Sequence, residues 1–242
     1  MIFLQFAYYT FLVVVGFQIL YFLYFFSKFA FAKPSKVANK QSPVSILICA
    51  KNEAENLKNY LPFIINQEFS EFEIVLINDA SYDNTLEVMQ DFAAQHKNIK
   101  IVDVANNEAF WGNKKYALTL GIKAAKHNLL LFTDADCKPN STYWLKEMSS
   151  HFSQNHNIVL GYGAYAKINN SLLNKLIRFE TVLTALQYFS FAKSGIPFMG
   201  VGRNLAYTKD TFFNANGFQN HLHIQSGDDD LFINQVATKH NT

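Results

Sequence analysis

The stretch Leu129-Leu130-Leu131-Phe132-Thr133-Asp134-Ala135-Asp136 decides the fold. Four large apolar residues in a row, followed by a threonine, suit a strand buried on both faces. The run ends in two carboxylates separated by one small residue. In an open parallel sheet, ligands bind in the crevice at the carboxyl ends of the strands, so Asp134 and Asp136 are expected at its rim. Two hard oxygen donors at this spacing suit a divalent cation that shares its remaining sites with phosphate and water. The competing reading is an ordinary turn after a strand, with both acids solvated.

Working outward, the flanks repeat one pattern. Val44–Ala50 reads as a strand running into Lys51-Asn52-Glu53, and Glu53 to Asn66 reads as a helix with Leu57, Tyr60, Leu61 and Ile64 on one face. Glu73–Ile77 is a second strand ending in Asn78-Asp79, Thr85–Gln95 a helix, Ile99–Val104 a strand and Lys114–Lys126 a helix. This alternation predicts an α/β fold, a mostly parallel sheet with flanking helices. Beyond Asp136 the sequence predicts a helix over Ser141–Phe152, capped by Asn140 or Ser141, and a strand over Ile158–Ala166. A long helix over Ser171–Phe191 carries a wide apolar stripe, for which core packing is favoured over a place in a membrane interface. The glycine-rich loop Gly195–Gly202, a strand over Asn204–Tyr207 and a helix over Lys209–Asn214 follow. Asp228-Asp229-Asp230 then opens a helix running through Val236.

The 242 residues allow one sizeable domain plus an appendage. Charged residues make up 17%, below the usual quarter or so, and hydrophobic ones 50%. The excess is local: Ile2 to Phe26 contains no charged side chain and is long enough to cross a hydrocarbon core of about 30 Å. A cleaved signal peptide ending near Ala30-Phe31-Ala32 is the alternative, but the run exceeds an ordinary signal core and no basic residue precedes it. Lys28, Lys33, Lys36 and Lys40 all follow the span, which places the rest of the chain on the cytoplasmic side of an inner or plasma membrane. The expected organisation is an anchor over 1–28, a linker over 29–43 and a domain over 44–242. A net charge of +2 gives no reason to expect nucleic acid. Cys49 and Cys137, the two cysteines, make neither a disulfide framework nor a zinc-finger spacing.

The ordered set formed by Val44–Glu53, Asn78-Asp79-Ala80-Ser81-Tyr82-Asp83, Gly112–Leu118, Thr133-Asp134-Ala135-Asp136 and Gly227-Asp228-Asp229-Asp230-Leu231 resembles the family 2 glycosyltransferases of GT-A fold, which include cellulose, chitin and hyaluronan synthases. The resemblance implies a nucleotide-diphosphate sugar donor, with Asp79 pairing with a uracil base and Asn78 standing where an aspartate is more usual. Asn52 and Glu53 would lie by the base or ribose; a first-turn helix acid is the plain reading of Glu53. Lys114 matches a lysine near the diphosphate, although Asn113 separates it from Gly112 and Lys115 is an equal candidate. Asp136 matches the acid that coordinates Mg²⁺ or Mn²⁺, and Asp134 an acid near the ribose or metal. The family's base is the aspartate of a Glu-Asp pair. Aligning on Leu231 puts Gly227 in place of that glutamate and makes Asp228 the base, with Asp229 the fallback. His221 and His223 read as surface loop histidines rather than metal ligands, Trp111 as a packing residue or a sugar-stacking one, and Arg203 as a surface arginine or a phosphate contact.

The expectation is therefore a membrane-anchored, inverting, metal-assisted glycosyltransferase domain acting on a UDP-sugar and a saccharide or lipid-linked acceptor, for polysaccharide or glycolipid synthesis. Its rivals are a nucleotidyltransferase, which would want a glycine-rich phosphate loop where Ala50-Lys51-Asn52-Glu53 stands, and an anchored nucleotide-sugar-binding or scaffold protein without turnover. The chain ends at Thr242, before the segment and further membrane helices with which polymer-forming relatives continue, so a C-terminal truncation is expected.

Overall fold

The structure, a computed structural model, describes residues 2–33, 42–105 and 114–242. Its contacts divide the chain into two compact units: Met1–Pro34 with Ala164–Phe198, and Ser35–Gly163 with Met199–Thr242.

The second unit holds one six-stranded sheet, ordered β3-β2-β1-β4-β6-β5. Its strands are β1 (Val44–Ala50), β2 (Phe72–Asp79), β3 (Ile99–Val104), β4 (Leu129–Phe132), β5 (Ile158–Leu160) and β6 (Leu205–Thr208). The first four run parallel, with Ile46 opposite both Ile74 and Leu131. β6 runs antiparallel to β4 and to β5. Ile46, Leu47 and Ile48 are all fully buried although successive side chains point to opposite faces, so both faces of the sheet are covered. Each such side chain contributes about 1.5–3 kcal/mol of burial free energy. One face packs on Leu57, Leu61, Ile64 and Met89, the other on Ala117, Leu118, Ile122 and Phe232. These come from the helices α2 (Ala54–Ile65), α3 (Thr85–Gln95), α4 (Lys114–Ala124) and α8 (Asp230–Val236). The helices α5 (Trp144–Ser150) and α7 (Lys209–Asn214) complete the unit.

Two expectations shift here. The strand predicted over Ile158–Ala166 stops at Leu160, because its partner β6 begins at Leu205, directly opposite. Beyond it the backbone is held by side chains: Asn204 Nδ2 donates to the Tyr162 carbonyl (3.0 Å) and Arg203 Nε to the Gly163 carbonyl (2.8 Å). The helix predicted over Ser141–Phe152 is α5, and neither Asn140 nor Ser141 caps it. Gln67 does so from a distant loop, its Oε1 accepting from Leu145 N at 3.0 Å while its Nε2 donates to Ser141 O at 2.9 Å.

The first unit consists of α1 (Ile2–Ala30) and α6 (Leu172–Lys193), with the segment between α6 and Phe198. Among the described residues, α1 is the one helix long and apolar enough to cross a membrane. Ser171 caps α6, its side chain accepting from Asn174 N at 3.1 Å. The core packing expected for the α6 stripe fails over its first half, where Leu172, Leu173, Leu176, Phe179, Val182 and Leu183 are exposed.

Candidate functional site

Four parallel strands ending on one side bring their following loops together. The loop after β1 turns at Asn52, whose φ of 59° is the left-handed conformation that asparagine tolerates. Its backbone N–H donates to Ser81 Oγ (3.0 Å) and its Oδ1 accepts from Tyr82 N (3.0 Å), while Glu53 N donates to Thr85 Oγ1 (2.8 Å). The loops after β1 and β2 are thus tied together. Glu53 caps nothing; its Oε2 accepts from Asn56 Nδ2 at 2.6 Å.

In the second loop, Asn78 is buried, donating to Asp103 Oδ1 (2.7 Å) and accepting from Ser81 N (3.2 Å). Asp83 makes the Asx turn into α3, accepting from Thr85 N (3.0 Å). Slight burial pushes its carboxyl up, but the hydrogen bonds from Thr85 prevail and hold it below the usual value. Asp79 carries neither task. It faces Lys51 Nζ at 3.9 Å, and the next residue, Ala80, is left-handed with φ 48°.

After β4, Thr133 N still donates to Leu47 O (3.3 Å), continuing the strand's pairing as far as the acids. Ala135 is buried, which pins the loop between half-exposed Asp134 and exposed Asp136. Donor atoms of Asp134, Asp136 and Cys137 lie within 4.8 Å of one another. Burial, reinforced by both acids, pushes the Cys137 thiol up to about 12.

Lys114 opens α4 and joins two parts of the site, with Nζ 3.2 Å from Asp134 Oδ1 and 3.5 Å from Asp228 Oδ2. Burial disfavours its ammonium, but Asp134 and Asp228 outweigh that and raise its pKa. Lys115 does something else. Fully buried, it donates to the carbonyls of His221 (2.8 Å) and Ile224 (2.9 Å), which pins the loop leading to the acidic run.

Within that run the three acids part company. Asp229 caps α8: its Oδ1 accepts from Asp230 N and its Oδ2 from Gly202 N, both at 2.7 Å. Asp230 Oδ1 accepts from Leu231 N at 2.8 Å. Asp228 instead faces Lys114, with its side chain 17% exposed. Burial raises its pKa against the opposing pull of Lys114. Gly227 has φ 85°, and a Cβ there would meet Leu231 Cδ1 at 2.5 Å, which accounts for the absence of a glutamate at that position.

Asp134, Asp228, Asp229 and Lys114 line one cleft, whose floor includes Cys49, Phe132 and Tyr207. Burial pushes the Cys49 thiol up to about 12, with Lys114, Asp79, Asp228 and Asp134 all acting on it. Lys114, Asp134 and Asp228 thus share the cleft with the half-buried Cys49. Asn52 and Glu53 are tied into the adjoining loops, and Arg203 is held by Gly163. His221, expected on the surface, is buried and packs against Phe218 with ring centroids 5.9 Å apart; His223 is exposed as expected. Trp111, Gly112 and Asn113 lie outside the described residues. Cys49, Lys51 and the carbonyl contacts of Lys115 carried no sequence signal, since each acts through a partner distant in the chain.

Over 93 residues, 38% of this chain and 21% of the relative, the sequence is 38% identical to poly-beta-1,6-N-acetyl-D-glucosamine synthase of Staphylococcus epidermidis. It is 24% identical to the glycosyltransferase AglE of Haloferax volcanii over 187 residues, 76% of this chain and 58% of the relative. The fold is similar to that of the mannosyltransferase PcManGT of Pyrobaculum calidifontis in complex with GDP-Man and Mn²⁺ (TM-score 0.65, 18% identity, 86% of this chain and 56% of that one). It is also similar to S. aureus TarS in complex with UDP-GlcNAc (TM-score 0.52, 18% identity, 81% and 53%). The chain thus spans less than two thirds of each of these relatives. These neighbours bear out the expected mostly parallel GT-A sheet. The sequence model of "Glycosyl transferase family 2" matches residues 45–214, more than half of the 242 residues, and the chain belongs to glycosyltransferase family 2.

Proposed function

We propose that this domain transfers a sugar from a nucleoside-diphosphate sugar, a UDP-sugar in the first instance, to a hydroxyl of a saccharide or lipid-linked acceptor, with inversion. The observation that carries the reading is Lys114 set between Asp134 and Asp228, one cation linking the expected donor side to the expected base. The base would be Asp228, which faces Lys114 and is buried enough to hold a proton more readily than an ordinary aspartate. Asp229 would position it by holding α8 and the Gly202 amide. Asp79 would accept from the base of the nucleotide, with Asn52 and Glu53 shaping that end of the crevice. Lys114 would meet the negative charge that grows as the diphosphate leaves. Asp134 and Asp136 form a hard-oxygen pair that fits Mg²⁺ or Mn²⁺; a bound ion would supply further neutralisation of the diphosphate. α1 would anchor the chain in a cell membrane with the catalytic domain on the cytoplasmic side.

Titration calorimetry of UDP and GDP against the full chain, with and without Mn²⁺, tests the donor site. Metal-dependent binding should weaken at least about tenfold in Asp136→Ala, in keeping with the loss of a ligand to the ion that would neutralise the diphosphate. Equal binding by both proteins would remove Asp136 from the site.

A further inference from the structure

Lys114 and Lys115 stand side by side at the start of α4, where neighbouring side chains of a helix point about 100° apart. Lys114 enters the cleft. Lys115 turns inward and is fully buried, its Nζ donating to the carbonyls of His221 and Ile224 at 2.8 and 2.9 Å. The His221 carbonyl also accepts from Ile224 N at 3.1 Å, so the ammonium grips both ends of that turn. From Ile224 the chain passes through exposed Gln225 and Ser226 to buried Gly227 and then Asp228. On the far side of Asp228, Asp229 is held by the amides of Asp230 and Gly202. The backbone that carries Asp228 is thus fixed from both directions, and Lys115 supplies one of the two fixings.

Stability alone does not call for a charge at this position. An ammonium loses its hydration on burial, which pulls the Lys115 pKa down, while Asp228, Asp230 and Asp229 act to hold it up. A methionine would fill much of the same space in the core without that cost. It would bring no donors, and the two loop carbonyls would lose their partner. One turn of α4 therefore bears both the cation that faces Asp134 and Asp228 and the cation that holds the approach to Asp228, which fixes the two against each other on one rigid element.

We propose that Lys115 is a positioning residue for sugar transfer: by holding the His221 and Ile224 carbonyls it sets where Asp228 stands relative to Lys114 and the donor. The proposal rests on the reading of Asp228 as the base, and the test separates the two. Lys115→Met and Lys115→Gln are made in the full chain and reconstituted in vesicles with Mn²⁺, and rates are counted per folded molecule, with the folded fraction read by circular dichroism. On the UDP- or GDP-sugar that the wild type turns over, kcat should fall about 10²-fold in Lys115→Met, as for a reacting group misplaced by about 1 Å, while the Kd of the nucleoside diphosphate stays within about twofold. Lys115→Gln, which keeps an amide donor on a shorter stem, should lose less. Hydrogen exchange should quicken at least about tenfold in a peptide covering residues 221–228 and stay unchanged in β1 and β4.

A wild-type kcat per folded molecule in Lys115→Met would overturn the proposal and leave Asp228 standing as the base. A loss of kcat matched by an equal loss of nucleotide binding, or faster exchange spread over the whole sheet, would also overturn it, since either marks Lys115 as a support of the core alone. Should Lys115→Met not fold, Lys115→Gln carries the same comparison, and failure of both to fold would assign the lysine to stability and overturn the proposal. A full rate in Asp228→Asn would remove the base itself, and the proposal with it.

Discussion

At the scale of single residues, the account turns on the difference between Asp228 and Asp229. Burial raises the Asp228 carboxyl above its ordinary value, so its ionised form costs folding free energy. For such a group the contribution to stability is full below the unfolded pKa and is lost as pH rises through the folded one. Asp228→Asn removes that cost, and its melting temperature at neutral pH should equal or exceed that of the wild type. The same elevation predicts that kcat/KM falls on the acid side at a pH above the ordinary aspartate range, because the base must be ionised to work. A pH–rate profile checks this. Asp229→Ala should behave in the opposite way, losing about 2 kcal/mol in chemical denaturation through the lost cap and the orphaned Gly202 amide. Much of the site was legible: the greasy run before Asp134 and Asp136 fixed where they sit, and the paired lysines marked the start of α4. What could not be read was which lysine and which acid do what. That choice depends on the left-handed turn at Gly227 and on partners such as Gly202 and His221, far away in sequence.

At the scale of elements, strands and helices with long apolar patterns were legible because burial on both faces of a parallel sheet leaves a continuous signature. β1, α3, β3 and α7 fall where the pattern places them. β5 and α5 do not, for reasons outside their own segments: β5 ends with its partner, and α5 starts where Gln67 satisfies the Leu145 amide. The close approach after β5 makes a prediction. A Cβ on Gly161 would stand 2.6 Å from the Asn204 carbonyl oxygen, a backbone atom that cannot swing away. Gly161→Ala should therefore cost about 1–3 kcal/mol in urea unfolding. An unchanged midpoint would mean that this edge of the sheet is softer than its packing implies.

At the scale of the whole molecule, topology converts local pattern into a site. Parallel strands β1, β2 and β4 deliver their loops to one edge, and the antiparallel β6 brings the Gly202 amide to meet the acidic run ahead of α8. The apolar stripe of α6 shows where a sequence pattern misleads, since a face suited to a protein core is equally suited to lipid. The central claim, that this cleft performs sugar transfer with Asp228 as base, is tested most directly by nucleoside-diphosphate release from UDP- and GDP-sugars. The full chain would be reconstituted in vesicles with Mg²⁺ or Mn²⁺, and the wild type compared with Asp228→Asn. The account predicts turnover by the wild type and a loss of about 10²–10⁴-fold in the variant, with nucleotide binding kept within severalfold. Turnover by Asp228→Asn at the wild-type rate, or a folded wild type that binds no nucleoside diphosphate, would contradict it.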